Sequence, residues 1–298
     1  MKKIFALLTI LFIFSACEKD INLDVPKLSS KLAVHAYWTE NQVLELALTR
    51  TLNIPDKPTD WQSQDKYFVK NATVTVYQNN LPYEQLTYDS QLRKYISIGK
   101  KRAVPGFSYQ VKVTAPGFDE AISPVSVFLP KVPIRILEFK KEASKDEFGQ
   151  KMDELKIEFD DPAQVNNFYQ IRIQQSEFES FNTVYPLDKD IVVSLNEDPF
   201  SSLPGVESNM IILSDKSFNG QSKRVRILIP SYYLRDHPDA NRVKGTVALM
   251  SISEEVYQYQ RSRILDSENP FAEPVQAISN IKNGVGIFGL VSGEYRRL

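Results

Sequence analysis

Short segments in which apolar and polar residues alternate recur along most of this chain, and they restrict its fold more than any other feature. The clearest are residues 72–78, 109–114 and 155–159, which read ATVTVYQ, YQVKVT and LKIEF. Because successive side chains of a β-strand point to opposite faces, such alternation indicates a strand with one buried face. Prolines and paired turn residues separate the segments, which is typical of an all-β fold.

The first group of segments predicts one β-sandwich domain over residues 32–128. Strands are expected at residues 31–38, 43–49, 72–78, 86–88, 95–98, 109–114 and 121–128. Short strands at this spacing favour an immunoglobulin-like sandwich. Tyr109 follows Pro105 and Gly106 at the start of its strand. In such domains a tyrosine at this place forms a corner hydrogen bond that pins the neighbouring loop.

The second group of segments predicts another β-sandwich over residues 132–298, after a junction marked by Pro130 and Pro133. Strands are expected at residues 134–140, 155–159, 168–174, 190–195, 211–213, 224–229 and 245–250. Residues 251–266 change period and predict a helix, with Ser251 and Glu254 as a capping box. The fold class is therefore mainly β: two tandem immunoglobulin- or fibronectin-like sandwiches, the second with one helix near the C-terminus.

Residues 1–16 have the features of an export signal. Two lysines precede an apolar run at residues 4–14, and Ser15 and Ala16 then abut Cys17, the only cysteine in the chain. This arrangement resembles a bacterial lipobox, which implies cleavage before Cys17 and its diacylation. Two acyl chains are enough for stable membrane anchoring. The alternative is a plain secretory signal followed by a buried cysteine.

The segment after Cys17 predicts a short tether. Residues 17–31 are polar and contain Pro26, and we interpret them as an extended linker. Glu18-Lys19-Asp20 resembles the surface-export signal of Bacteroidota lipoproteins, which implies exposure at the cell surface. A lipoprotein that faces the periplasm is the alternative.

The composition and motifs exclude several classes of function. Lysine and arginine number 36 against 37 acidic residues, and their even mixing predicts no nucleic-acid footprint. Cys17 is assigned to lipidation, and the only histidines are His35 and His237. No metal-site or hydrolase motif is present. We therefore predict a protein without enzymatic activity, metal or cofactor, although a site built from converging carboxylates stays open.

Two further patterns match functional-site motifs in residue type alone. Asp160 and Asp161 are adjacent, and neighbouring residues of a strand point to opposite faces, so we interpret them as turn residues before Pro162. Residues 284–289 match G-x-G-x-x-G, but a dinucleotide motif must open a helix inside a βαβ unit, which this segment does not offer. We expect these glycines to let a strand bend or approach another backbone.

Several motifs along the chain are characteristic when taken together. They are Cys17-Glu18-Lys19, Ala72-Thr73-Val74, Pro105-Gly106 with Tyr109, Phe159-Asp160-Asp161-Pro162 with Phe168-Tyr169, Ser251-Ile252-Ser253 with Tyr257, Pro270-Phe271-Ala272-Glu273-Pro274, and a C-terminal block with Asn280, Asn283, Gly284, Gly286, Phe288 and Gly289. This set resembles the domain-of-unknown-function (DUF) 4249 family of Bacteroidota outer-membrane lipoproteins. We assign the C-terminal block a structural role. Members of the family are often encoded beside TonB-dependent receptors, which implies an accessory role in uptake.

The resemblance implies a non-catalytic outer-membrane lipoprotein, exposed at the cell surface, that serves a TonB-dependent transporter as an accessory or ligand-binding subunit. The ligand is unknown. Long polar loops at residues 51–66 and 177–208 are expected to make the contacts, with Trp61, Phe181 and Tyr185 as candidate aromatic anchors. Other hypotheses are a cell-surface hydrolase or adhesin that acts without a transporter, and an envelope assembly factor that faces the periplasm.

Overall fold

The computed structural model describes residues 29–52, 62–146, 148–174, 185–186, 192–196, 208–234, 245–267 and 278–298. The predicted leader, Cys17, Trp61, Phe181 and His237 lie outside these residues. Within them, a mainly β fold with a helix near the C-terminal end is confirmed.

The strands follow one another closely along the described chain. They are β1 (Leu32–Thr39), β2 (Glu45–Arg50), β3 (Thr73–Gln78), β4 (Leu81–Asp89), β5 (Lys94–Ile96), β6 (Ser108–Thr114), β7 (Ala121–Ile122), β8 (Ser126–Val127), β9 (Ile134–Lys145), β10 (Lys151–Asp160), β11 (Phe168–Gln174), β12 (Tyr185–Pro186), β13 (Val192–Asn196), β14 (Ser208–Ser214), β15 (Ser222–Pro230), β16 (Thr246–Ile252) and β17 (Val285–Arg297). The α-helix is α1 (Glu254–Ser267), and 3-10 helices cover Gln62–Tyr67, Asp215–Ser217 and Ser231–Leu234.

Most strands belong to one long mixed sheet of 13 strands. Its order is β13-β14-β11-β16-β17-β1-β2-β5-β4-β3-β6-β7, and β8 also pairs with β6. β1 and β17 run parallel, whereas the other strand pairs of the described residues are antiparallel. A second sheet of four strands has the order β12-β15-β10-β9. Because the long sheet runs without a break across both predicted domains, the division into two separate sandwiches stays a prediction.

The long sheet borders two cores on one face and the helix on the other. Along β17, Phe288 and Leu290 belong to the core built by β1–β6, whereas Val291 packs with the helix. Along β16, Val247 and Leu249 belong to the core under β10 and β15. The central strands are thus covered on both faces, which explains why β16 is almost continuously apolar.

Glycines let β17 lie against β1 and α1. Gly286 pairs with Val34 and has a φ of +108°. A Cβ on Gly286 would lie 2.0 Å from the Val34 carbonyl oxygen, and one on Gly289 would lie 2.1 Å from Val256 of α1. A Cβ on Gly284 would lie 2.9 Å from the Leu32 carbonyl oxygen. A side chain at any of the three positions would push a neighbouring segment away.

Two asparagines brace the entry to β17. The Asn280 amide donates to the Phe288 carbonyl oxygen (2.6 Å), and the Phe288 N–H donates back to Asn280 Oδ1 (2.9 Å). Asn283 adopts a φ of +58° and donates from Nδ2 to the Glu120 carbonyl oxygen (3.2 Å). Phe288 then packs edge-on against Trp38, with ring centroids 4.9 Å apart. The C-terminal block therefore closes the core of the N-terminal half.

The tyrosine corner is confirmed. The Val104 N–H donates to the Tyr109 hydroxyl (3.0 Å), and Gln78 Nε2 also donates to it (2.7 Å). Tyr109 is fully buried and packs edge-on against Trp38, with centroids 5.9 Å apart. The hydroxyl therefore holds the loop before β6 against the first core.

Three predicted boundaries are wrong. The strand predicted at residues 134–140 is longer in the structure, where β9 extends through Lys145. The Glu142 N–H donates to buried Asp153 (2.8 Å), and an irregular pairing with β10 continues the hairpin. Residues 121–128 form two short strands instead of one. The Ser123 hydroxyl accepts the Val111 N–H (2.8 Å) in place of the backbone carbonyl that a continuous strand would supply. Ser251 lies in buried β16 and does not cap α1, which begins after Ser253.

We predict that Gly286→Ala destabilises the protein by about 3 kcal/mol or more, because the new Cβ meets the Val34 backbone and the φ is strained. Gly106→Ala is the matched control, since Gly106 has a φ of +90° but open space around it. It should cost only about 1 kcal/mol. Denaturant unfolding measures both, and equal losses would contradict the close approach of β17 to β1.

Candidate functional site

A polar cleft lies between the N-terminal half of α1 and the turns that precede β11 and follow β14. Its volume is about 240 Å³. Phe168 and Tyr257 form an aromatic wall, with centroids 4.8 Å apart and ring planes at 32°. The polar lining residues are Asn166, Asp215, Lys216, Glu254, Gln258 and Arg261. The cleft therefore combines acidic, basic and amide side chains beside an apolar wall.

Asp215 forms the buried floor of the cleft. Its Oδ2 accepts the Asn167 N–H (2.7 Å) and the Asn219 amide (3.0 Å), and its own N–H donates to the Asn167 carbonyl oxygen (3.1 Å). Asp215 is only 2% exposed. These neutral donors fix the carboxylate and join the turn before β11 to the turn after β14.

A second buried carboxylate, Asp161, ties the same two turns together. It accepts a hydrogen bond from the Tyr169 hydroxyl and another from the Gly220 N–H (2.9 Å). Burial, the bond to Asp161 and the charges of Asp161 and Asp215 raise the pKa of Tyr169 well above its usual range. The hydroxyl therefore keeps its proton and stays a donor to Asp161.

Asp160, the neighbour of Asp161, forms its contacts away from the cleft. Its carboxylate is exposed and binds Arg135, with Nη1 2.7 Å from Oδ2, and it also accepts the Ser222 hydroxyl. These bonds lower the pKa of Asp160 to about 2. Asp160 and Asp161 therefore take part in different contacts on the two sides of the chain.

Acidic and basic side chains share the cleft without forming ion pairs among the described residues. Neither Asp161 nor Asp215 forms an ion pair within the part of the chain that the structure describes, and the same is true of Lys216, Glu254 and Arg261. Buried carboxylates are costly unless donors or cations compensate them. The cleft thus presents a negative floor and free cations at its rim.

A second, smaller cleft of about 140 Å³ lies on the outer face of β1, β2 and β5. Lys94 Nζ and Glu45 Oε1 are 2.7 Å apart there, so these two charges compensate each other. Burial lowers the pKa of His35, which favours a neutral imidazole. Because its acid and base are already paired, this cleft is the weaker candidate.

Comparison with known families decides where this chain belongs. Residues 18–297 match the domain of unknown function DUF4249. The chain is a member of the DUF4249 family. The match begins at Glu18, directly after Cys17. A comparison with curated proteins finds no match.

The DUF4249 chain is also similar in part to a solved structure, a candidate membrane-anchored protein from Corynebacterium diphtheriae. The two share 13% identity and a TM-score of 0.22, and the match covers 77% of this chain and 55% of that one. The DUF4249 chain thus spans about half the length of that protein. Likeness at this level supports no conclusion about fold or activity.

The structure places the predicted residues of the DUF4249 chain in separate regions. Tyr185 lies in β12 and pairs with Leu228 at the edge of the four-stranded sheet. Asn280, Asn283, Gly284, Gly286, Phe288 and Gly289 lie together at the start of β17. Of these, Gly289 contacts the helix that lines the cleft.

Sequence patterns do not predict most of the residues that line the cleft, although two of them lie in segments with a recognisable motif. Phe168 and Tyr257 both belong to segments that resemble the family. Lys216, Gln258 and Arg261 have no distinguishing pattern, because they come from a turn and a helix far apart in the chain. No group of three or more His, Cys, Asp or Glu suited to a metal occurs among the described residues. None of the described helices is both long and apolar enough to cross a bilayer.

We predict that Tyr169→Phe lowers the free energy of unfolding by about 1–3 kcal/mol, because it leaves buried Asp161 without one of its donors. Tyr257→Phe is the matched control. Both tyrosines are at most 7% exposed, but no hydrogen bond to the Tyr257 hydroxyl occurs in the described part of the chain. The control should change stability by less than about 0.5 kcal/mol. Chemical denaturation distinguishes the two, and similar values would contradict a structural role for the hydroxyl.

Proposed function

We propose that this chain is a non-catalytic outer-membrane lipoprotein that acts as an accessory or ligand-binding subunit of a TonB-dependent transporter. One observation carries the proposal. The family match begins directly after Cys17, at the position that a lipobox assigns to the residue after the lipidated cysteine. The proposal includes attachment to the outer membrane through Cys17, with the domains at the cell surface, and the resemblance of Glu18-Lys19-Asp20 to a surface-export signal supports that part.

The described architecture suits a recognition role. Two cores border one face of the long sheet, and we interpret them as two sandwich-like modules that share a central sheet. The polar cleft lies at the ends of strands and beside a helix, where rigid elements hold its side chains. A rigid scaffold with polar turns is typical of binding proteins.

We predict that Cys17→Ser abolishes incorporation of labelled palmitate and releases the protein from the membrane fraction, because the acyl chains have no other attachment point. The double variant Cys17→Ser/Ser29→Cys restores a thiol outside the lipobox and should behave in the same way. Fractionation and lipid labelling in the native host measure both. A membrane-bound, unlabelled Cys17→Ser protein would contradict lipid anchoring.

We predict that the full chain, extracted in mild detergent after cross-linking in cells, co-purifies with an outer-membrane barrel receptor. Protease treatment of intact cells should cleave it if it faces the outside. Recovery without a receptor would favour the surface hydrolase or adhesin. Protection from protease would favour the periplasmic assembly factor.

The aromatic anchors give a sharper test of that complex. Trp61→Ala, Phe181→Ala and Tyr185→Ala should each lower receptor recovery several-fold, on the order of the 1–2 kcal/mol that interface aromatics contribute. Tyr295→Ala is the control, because this residue is 51% exposed on β17 and lies outside the two predicted contact loops. Unchanged recovery with all three variants would refute these anchors.

A further inference from the structure

We propose that the cleft beside α1 binds a small zwitterion, a ligand that carries an ammonium and a carboxylate, such as a free amino acid or the ends of a short peptide. The inference deepens the ligand-binding part of the proposed function and rests on it. It follows from the charges that the cleft brings together.

The acidic side of the cleft suits an ammonium group. Asp215 lines the cleft while its Oδ2 is held by Asn167 and Asn219, so the carboxylate is kept in place without a cation. Glu254, at the start of α1, lines the same cleft and is exposed. An ammonium in the cleft would add a charge-assisted hydrogen bond to a carboxylate that only neutral donors now hold.

The basic side suits a carboxylate. Lys216 follows Asp215 in the turn, and Arg261 lies on α1 two turns after Glu254. Neither cation forms an ion pair in the described parts of the chain, so both are free to receive a ligand. A guanidinium binds a carboxylate through two parallel hydrogen bonds, which gives Arg261 the leading role.

The size and remaining lining agree with a small polar ligand. A volume of about 240 Å³ holds several water molecules but lies below the ~300–1,000 Å³ that is usual for drug-sized ligands. Asn166 and Gln258 add amide groups that bind peptide-like atoms. A simple anion would leave the acidic floor uncompensated, and a simple cation would meet Lys216 and Arg261.

Isothermal calorimetry on the full-length, lipidated protein in detergent tests the inference. The probes are glycine, glycylglycine and triglycine. Each added residue increases the distance between the terminal ammonium and the terminal carboxylate by up to ~3.5 Å. At least one should bind. Its N-acetylated and C-amidated forms, which each lack one charge, should bind about tenfold more weakly or worse. Absence of heat for all three probes, or equal binding of the blocked forms, overturns the proposal.

Exposed substitutions locate the site without disturbing the buried network. Arg261→Gln, Lys216→Gln and Glu254→Gln should each weaken binding of the responding probe by about five- to tenfold or more. Lys282→Gln and Glu255→Gln are matched controls outside the cleft and should leave affinity unchanged. Equal affinity in all five variants places the probe elsewhere and overturns the assignment.

The two proposals fail in different ways. Calorimetry needs no receptor, so recovery of a receptor by a protein that binds none of the probes refutes only the zwitterion site. Probe binding by a protein that recovers no receptor refutes only the transporter association.

Discussion

The parallel pairing of β1 with β17 governs how the core of the N-terminal half is completed. It joins the first and last described strands of the chain, with Val34 opposite Gly286 and Ala36 opposite Phe288. Phe288 then fills the core around Trp38. The N-terminal half therefore cannot complete its core until the end of the chain has returned to it. Such a non-local contact pays its loop-closure entropy before it stabilises the fold.

The same strand positions the candidate site. β17 pairs with β16 on its other side, and the absence of a side chain at Gly289 lets Val256 of α1 approach the sheet. Tyr257, the next helix residue, forms the wall of the cleft with Phe168. The floor is fixed independently by Asp161 and Asp215, which hydrogen-bond across two turns. The central sheet supports both α1 and the turn that carries Asp215, and this shared support places them on the same cleft.

In the proposed function, membrane placement and ligand recognition are carried out by different parts of the molecule. The parallel pairing sets the start of β17 beside the start of β1, the strand that follows the predicted tether. The charges proposed to recognise a ligand lie at the cleft, where buried Asp215, exposed Glu254 and two cations without ion pairs among the described residues line one small space. An anchor needs one chemically suitable residue in a short motif, whereas a binding cleft needs side chains from several segments.

Sequence patterns alone indicated the strand-rich class, most strand positions, the tyrosine corner and the family, because alternation and local motifs act over a few residues. It also marked Asn280, Gly284 and Gly286 as unusual. The three-dimensional structure was needed to establish that one sheet crosses both halves, that Ser251 lies in a strand, and that Asp215 and Arg261 line the same cleft. Those outcomes depend on pairing and burial between distant segments, and no short-range pattern encodes which distant partner a strand or charge will meet.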